Sequence, residues 1–343
     1  MKKILFFLLA TIFVSAQKTE TINLSKSIKD NKKTYKNLTV LDKRANPEIG
    51  SVTYHKDQVN MVFENNAETD FRNWFYKYNP VRGNEELVLL LENIALSEDK
   101  KEKFSIGKLE IRASTFIKKE DGYHFLSRKD TVTTVSSRAT PYLAQSLSKK
   151  LMLTFTDLMK KSYVARQWDF AVSETELINY ATVLKDKLEI LKAGELKEGV
   201  YTDYYSFFTH NPEAGFTIET DKKGVVTKAV NGEKKEPIRN FYAFVHNGIP
   251  FKVIPVGYVE IFRDEQGLFI EAKKEELYPE SNNSPMIMLG GGIGGLIGSV
   301  VANVAISAID ASAAKKRNAM AGSEVILDPL TGNYILPEDF MKK

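Results

Sequence analysis

The chain of 343 residues has four histidines, His55, His124, His210 and His246, and no two lie closer than 36 positions apart. Zinc chemistry favours two nitrogen or sulfur ligands within a turn or so of chain, as in HExxH, because one local element then fixes half of the coordination sphere. That spacing is missing here, so a zinc site would have to be assembled from distant segments. There is no cysteine, which removes disulfides, thiolate ligands and a thiol nucleophile. The strained GxSxG turn that exposes a serine nucleophile does not occur, nor does the GxxxxGK(S/T) loop that cradles phosphates. The acidic pairs Glu85-Glu86, Asp264-Glu265 and Glu275-Glu276 fall in turns or charged runs. Neighbouring carboxylates there are solvated, whereas glycoside hydrolysis needs two that face one cleft.

One literal match to a cofactor motif exists. Gly290, Gly292 and Gly295 satisfy GxGxxG. A dinucleotide site also requires a strand before it, a βαβ unit around it and an acid about 20 residues on. The flanks are instead an uncharged apolar run and a terminal hairpin, so neither a cofactor nor a metal is expected. The same stretch reads better as a packing element. Met286 to Ile309 is 24 residues without a charge, long enough as a helix to reach about 36 Å against a hydrocarbon core of about 30 Å. Gly290, Gly294, Gly298 and Ala302 recur every fourth residue, with Gly291, Gly295 and Ser299 beside them. On a helix they form a strip almost without side chains, where another backbone can come close. In water each glycine costs a helix roughly 1 kcal/mol relative to alanine, which only close packing or a membrane offsets. Ten Ile, Leu and Val residues favour insertion, while six glycines, two serines and Asn303 oppose it. Lys315-Lys316-Arg317 follow directly, as a cytoplasm-facing flank would. The expected partner is a membrane or a second copy of the chain, through 286–309, with other envelope proteins as further candidates; packing within the chain is the alternative, and it is favoured if 324–337 pairs with the strands of 215–275.

The N-terminus gives the compartment. In MKKILFFLLATIFVSAQ, Lys2 and Lys3 form a positive n-region and Ile4 to Val14 an apolar run of eleven residues. Val14 and Ala16 have sizes suited to positions three and one before a cut. Eleven apolar residues fall short of the about 20 that a spanning helix needs. Residues 1–16 are therefore expected to be a cleaved secretory signal, and the destination the periplasm or cell envelope of a bacterium. Without cysteine, the mature chain cannot carry a lipid on an N-terminal Cys. The formal charge is only +4, and two of those charges lie in the signal. Lysines are interleaved with Glu and Asp rather than gathered on a basic face, so nucleic acid is not an expected partner.

The elements that must position any site follow from periodicity. Residues 37–165 read as an α+β sandwich. It holds a strand at 37–44, two short strands in 49–64, and a helix at 65–78 with Phe71, Trp74, Phe75 and Tyr78 on one core-facing stripe. A buried strand at 86–96 and a long hairpin turning at Glu120-Asp121-Gly122 come next. A helix to about residue 162 follows, capped by Thr140 with Pro141 at its first position and faced by Leu143, Leu147, Leu151, Phe155 and Leu158. Residues 166–199 form a mostly helical connector in which Ser173 and Glu176 fit a capping box. Residues 200–343 form an antiparallel β-hairpin domain, interrupted by the Gly-rich apolar helix within 286–312. Its hairpins turn at Lys222-Lys223-Gly224, Asn247-Gly248, Asp264 to Gly267 and Asp328 to Gly332.

The run LTVLDKRANPEIGSV, the strand ELVLLLENI and the long pair before the helix at 141–162 together resemble the auxiliary lipoproteins of ABC transporters, over about 37–165. The acylated Cys of those lipoproteins is missing. KEGVYTDYYSFFTHNPE followed by ILDPLTGNYILPED is similar to exported proteins of Gram-negative bacteria. Neither resemblance implies a catalytic residue. The sequence thus points to a non-enzymatic envelope protein that associates with membrane or self-assembles through a glycine-zipper helix. Two alternatives remain. One is a periplasmic hydrolase or carbohydrate-active enzyme with a site between the domains. The other is a small-ligand module using Tyr201, Tyr204, Tyr205, Phe207 and Phe208, although the first reading of these residues is a helix packed on the β domain.

Overall fold

The run Glu-Leu-Val-Leu-Leu-Leu at residues 86–91 lacks the alternation of a half-exposed strand because both of its faces are covered. Leu87, Leu89 and Leu91 point into one core and Val88 and Leu90 into another. The computed structural model describes residues 18–54, 57–140, 142–279, 322–337 and 340. The N-terminal half begins with β1 (Lys18–Thr21), β2 (Tyr35–Asp42), β3 (Ser51–Tyr54) and β4 (Asp57–Val62), then α1 (Ala67–Tyr78). The long strands β5 (Glu85–Lys100), β6 (Ser105–Lys119) and β7 (Gly122–Ser136) follow, then α2 (Leu143–Ser162) and the two-residue β8 (Ala171–Val172). The main sheet has the order β2-β5-β6-β7-β8, with β2 parallel to β5 and the rest antiparallel.

One face of this sheet is covered by α1, α2 and the small sheet β1-β4-β3. Phe71, Trp74 and Phe75 are buried there, as the helical stripe predicts, and so are Leu143, Leu147, Leu151, Phe155 and Leu158. Asn66 caps α1 by accepting from Thr69 N at 2.8 Å. The start of α2 differs from the sequence expectation: Tyr142 is the N-cap and makes no side-chain cap bond. Thr140 Oγ1 instead accepts from Tyr142 N at 3.3 Å, a turn two residues long that holds the approach to the helix.

The other face is covered by the connector and the C-terminal half. The connector contains α3 (Tyr180–Lys185) between two 3-10 turns, Leu177–Asn179 and Glu189–Leu191. Next come β9 (Gly199–Tyr201), α4 (Tyr204–Phe208), β10 (Thr217–Thr220), β11 (Val226–Asn231) and β12 (Lys234–Pro237). The meander β13 (Ala243–His246), β14 (Ile249–Ile254), β15 (Gly257–Asp264) and β16 (Gly267–Ala272) is followed by the short α5 (Lys274–Leu277). After the stretch 280–321 come β17 (Ser323–Leu327) and β18 (Tyr334–Ile335). All four expected hairpins form, and at Asn247-Gly248 both residues have positive φ, 53° and 75°, the geometry a two-residue hairpin turn requires. The second sheet runs β18-β17-β16-β15-β14-β13-β9, and β10-β11-β12 forms a third. With 20% helix and 43% strand in separate sheets, the chain is α+β. Among the described residues, no helix is long and apolar enough to cross a membrane.

Val88, Leu90, Phe116, Tyr123 and Phe125 of the main sheet share one core with Trp168, Tyr180, Tyr201, Phe207, Ile270 and Val325. That core joins the two halves. A β-bulge between Leu91 and Asn93 allows it to coexist with the first. The extra residue shifts the alternation, so Ile94 and Leu96 rejoin the helix-covered face. The bulge residue Glu92 then reaches Ser114 Oγ, at 2.9 Å, and the Tyr180 hydroxyl, at 3.3 Å, inside the shared region.

Candidate functional site

The residues singled out for membrane or oligomer packing, Gly290, Gly291, Gly294, Gly295, Gly298, Ser299 and Ala302, lie outside the described residues, as do residues 1–16, where a signal is expected. The structure does fix where their stretch is attached. β16 and β17 pair antiparallel, with Ala272 opposite Ser323 and Glu271 opposite Glu324. The chain thus leaves this sheet after β16 and returns to the adjacent strand. Gly322 sits so close to β16 that a Cβ there would come within 2.9 Å of Ala272 N. Both ends of the stretch adjoin paired neighbouring strands, β16 through α5 and β17 directly.

Lys252 is a buried cation whose amine is brought toward neutral pH, and sequence reasoning passes over it. In IPFKVI the alternation sends Phe251 and Val253 to the core shared with β10-β11-β12. Lys252 points the other way with Ile254, a residue of the core that joins the halves. It is 6% exposed. Its ammonium donates to the carbonyls of Tyr242, at 3.0 Å, and Val253, at 2.7 Å. It also stands 3.9 Å from the Tyr242 ring centroid and 5.9 Å from that of Tyr334. Burial disfavours the charged form and brings the amine down to about 7. Around it the Tyr204 hydroxyl is pushed up to about 12, chiefly by burial, and those of Tyr242 and Tyr334 are raised by burial as well. A neutral amine can attack a carbonyl carbon, which is how lysine enters covalent catalysis. Here the two carbonyl acceptors and the aromatic face satisfy it in place. The sequence signal that could have found it is a lone cation inside a strand whose two faces are both covered.

A cleft of about 520 Å³ lies on the C-terminal half, lined among others by Ile190, Leu196, Phe207, Pro250, Ile261 and Arg263, and not by Lys252. Its walls are tied by two charges. Arg263 donates to the carbonyls of Ile190 and Ala193, at the end of a 3-10 turn, where a cation suits the exposed carbonyls. Glu198 accepts from the turn amides of Asn247, at 3.1 Å, and Gly248, at 2.5 Å. With its two cation–carbonyl bonds made, Arg263 is used for structure.

The remaining candidates are placed apart. His124 Nδ1 donates to the Trp168 carbonyl at 2.8 Å and its Nε2 lies 2.9 Å from Asp121, holding the turn before β7. His55 lies outside the described residues. No group of three or more His, Cys, Asp or Glu among the described residues could hold a metal. Glu86 accepts from Thr39, and Asp264 accepts from Gln266 N and Gly267 N within its own turn. Glu276 accepts from Lys273 N at the start of α5. Tyr205, Phe207 and Phe208 of α4 are buried in the shared core together with Tyr201, and Tyr204 packs against it. Tyr204 to Phe208 form the expected packed helix, and Tyr201 belongs to β9.

His210 is 5% exposed, and its Nε2 accepts from Lys197 N at 2.7 Å. That bond requires the neutral ring. Burial, then the Lys197 charge, lower its proton affinity in the folded state. The unfolded state therefore binds the proton first as pH falls. The stability that the neutral ring contributes is complete above about pH 6.5 and lost below it, as the pH drops toward the folded-state value. Unfolding midpoints measured from pH 7.5 to 5 should fall, and His210→Gln should flatten the part of that fall below pH 6.5. An unchanged slope in the variant refutes the assignment.

Comparison of the chain with protein-family models, curated proteins and solved structures finds no match.

Proposed function

We propose that this is a non-enzymatic protein of the bacterial cell envelope, exported by residues 1–16, that associates with membrane or with its own copies through the glycine-rich stretch 286–309. The observation that carries the reading is the pairing of β16 with β17. It anchors both ends of a long uncharged stretch in one folded sheet, so the stretch extends from a built platform. A single crossing would leave its ends on opposite sides of a bilayer about 30 Å thick in its core. Paired flanks favour a shallow excursion or close helix packing, for which the every-fourth-residue glycines are suited. The chemistry-bearing residues described above are used in structure, which favours a binding role over a catalytic one.

The test is fractionation and sizing of the mature chain, intact and with 286–312 deleted. Because Ala272 and Ser323 are already partners across the sheet, the remaining linker still joins β16 to β17 after the deletion. Circular dichroism of the deleted form should match the intact form. The intact protein should pellet with membranes or elute as an oligomer, and the deleted form should be soluble and monomeric. An intact chain that is fully soluble and monomeric rules the proposal out.

A further inference from the structure

Strand β2, at the edge of the main sheet, carries a bulge. Its pairing with β5 passes from Tyr35 opposite Glu85 to Asn37 opposite Glu86, so Lys36 is the extra residue. A bulge re-aims the side chain it frees, and Lys36 is exposed. Beside it lies an open cleft of about 630 Å³, lined among others by Lys36, Asn37, Tyr76, Val81, Arg82 and Gly83.

The two segments that form the cleft are locked together. Asp30 is 4% exposed and accepts from the amides of Lys32, Thr34 and Tyr35 at 3.0, 2.6 and 3.2 Å. Its own amide donates to Asn79 Oδ1, at the end of α1, at 2.7 Å. Gly83 N donates to the Tyr35 carbonyl at 3.2 Å. A Cβ on Gly83 would stand 2.1 Å from the Lys33 carbonyl oxygen, so no side chain fits between the segments. Lys33 is held at φ 56°, a left-handed conformation that costs a residue with a Cβ.

This rigid edge displays positive charge. The Arg82 guanidinium stands 5.1 Å from the Tyr76 ring centroid, and its Nη1 donates to the Lys36 carbonyl at 3.5 Å. Neither Lys36 nor Arg82 has an ion-pair partner among the described residues. Lys32 and Lys33 are exposed on the adjoining turn. No carboxylate lines the cleft, and that of Asp30 is engaged by backbone amides. Asn37 Oδ1, in the wall, is buried without a hydrogen-bond partner among the described residues. Tyr76, 37% exposed, and Val81, 59% exposed, add an apolar rim.

We propose that this cleft binds a phosphate ester, with the Arg82 guanidinium and the Lys36 ammonium on the phosphate oxygens. Arginine presents paired N–H donors that match two oxygens, and lysine adds a compact charge. Tyr76 steadies the guanidinium plane and leaves its edge donors free. A hydroxyl on the esterified alcohol would satisfy the Asn37 oxygen once the amide turns toward the cleft. The ester is either free in solution or a lipid headgroup, and exposed Val81 beside the cations suits the second. No residue of 286–309 takes part, so the site stands apart from the reading above.

Glycerol 3-phosphate titrated calorimetrically into the mature full-length protein tests the soluble source. Co-sedimentation with phosphatidylcholine vesicles, with and without about one quarter phosphatidylglycerol, tests the lipid source. Saturable binding in at least one arm is expected. Lys36→Gln with Arg82→Gln should weaken it about thirtyfold at anionic vesicles, the scale of two surface cations. For the soluble ester the loss should be about tenfold or more, the scale of charge-assisted hydrogen bonds. Both side chains are exposed, so circular dichroism of the variant should match the wild type. If the ester is lipid-borne, Val81→Asp weakens vesicle binding and leaves glycerol 3-phosphate binding unaffected. No binding in either arm, or binding that survives the loss of Lys36 and Arg82, overturns the proposal. Vesicle binding that instead disappears with Lys315→Gln, Lys316→Gln and Arg317→Gln belongs to the glycine-rich stretch and overturns it too. Binding of the soluble ester through Lys36 and Arg82, in a chain that neither pellets nor self-associates, upholds this site and sinks the envelope-association reading.

Discussion

Replacing Lys252 by methionine should remove a pH dependence of stability that the wild-type protein shows between about pH 7 and 10. The buried amine has a folded-state value of about 7 against 10.5 for an exposed lysine. Above 10.5 the amine is neutral in both states and burial carries no charge penalty. As pH falls through 10, the unfolded chain takes up the proton and the folded chain does not, so stability declines until about pH 7, where the folded form also protonates. The wild type should therefore gain roughly 4 kcal/mol of unfolding free energy from pH 7 to 10, and Lys252→Met should gain little. At pH 7 the variant should be the more stable, less about 1 kcal/mol for each lost hydrogen bond to the Tyr242 and Val253 carbonyls. Tyrosines whose folded-state values are raised, Tyr204 and Tyr205 to about 12, act in the opposite direction. Their contribution is complete below about pH 10 and is lost as pH rises toward 12. Because both proteins carry them, the difference between wild type and variant isolates Lys252. Urea unfolding at pH 7, 8, 9 and 10 measures it, and parallel curves for the two proteins would refute the buried-amine account.

The second large effect concerns the core that joins the halves. Phe125 is fully buried, with ring centroids 5.7 Å from Phe116, 5.2 Å from Trp168 and 5.9 Å from Tyr180. Phe125→Ala should cost about 3–5 kcal/mol, the transfer of a ring plus the cavity it leaves. The protein reports this itself, since its two tryptophans sit in different cores, Trp74 in the helix-covered one and Trp168 in the shared one. In a Trp168→Phe background, Trp74 fluorescence reads only the helix-covered core. Both cores pack on the same strands β5, β6 and β7. The Trp74 transition should therefore shift with Phe125→Ala as far as the far-ultraviolet circular dichroism does. A Trp74 midpoint left in place would mean that the N-terminal half folds without its second covering layer.

How much of this was legible in sequence depends on the range of the interactions involved. The helix at 67–78 is written in the spacing of Phe71, Trp74 and Phe75, and its cap in Asn66, all within one short segment. The hairpin at Asn247-Gly248 is equally local, because positive φ at two consecutive residues is a property of those residues. The start of α2 differs from expectation because Thr140 and Pro141 fit a helix start by type, whereas Tyr142 is the N-cap and Leu143 the first helical residue. Lys252 was missed because its burial depends on side chains far along the chain, such as Tyr334, and a single lysine in a strand otherwise reads as an exposed-face residue. The bulge at Glu92 was equally invisible, since it only matters once Ser114 and Tyr180 are brought to it.

By itself the sequence determined the α+β class, the four hairpins, the core-facing stripes and the unusual character of 286–309, because propensity and periodicity act within a few residues of one another. Only the tertiary structure decided that the main sheet is buried on both faces, that a lysine sits among tyrosines at the shared core, and that the glycine stretch is flanked by two paired strands of one sheet. Those facts depend on which distant strands pair, and pairing is selected by the packing of the whole chain.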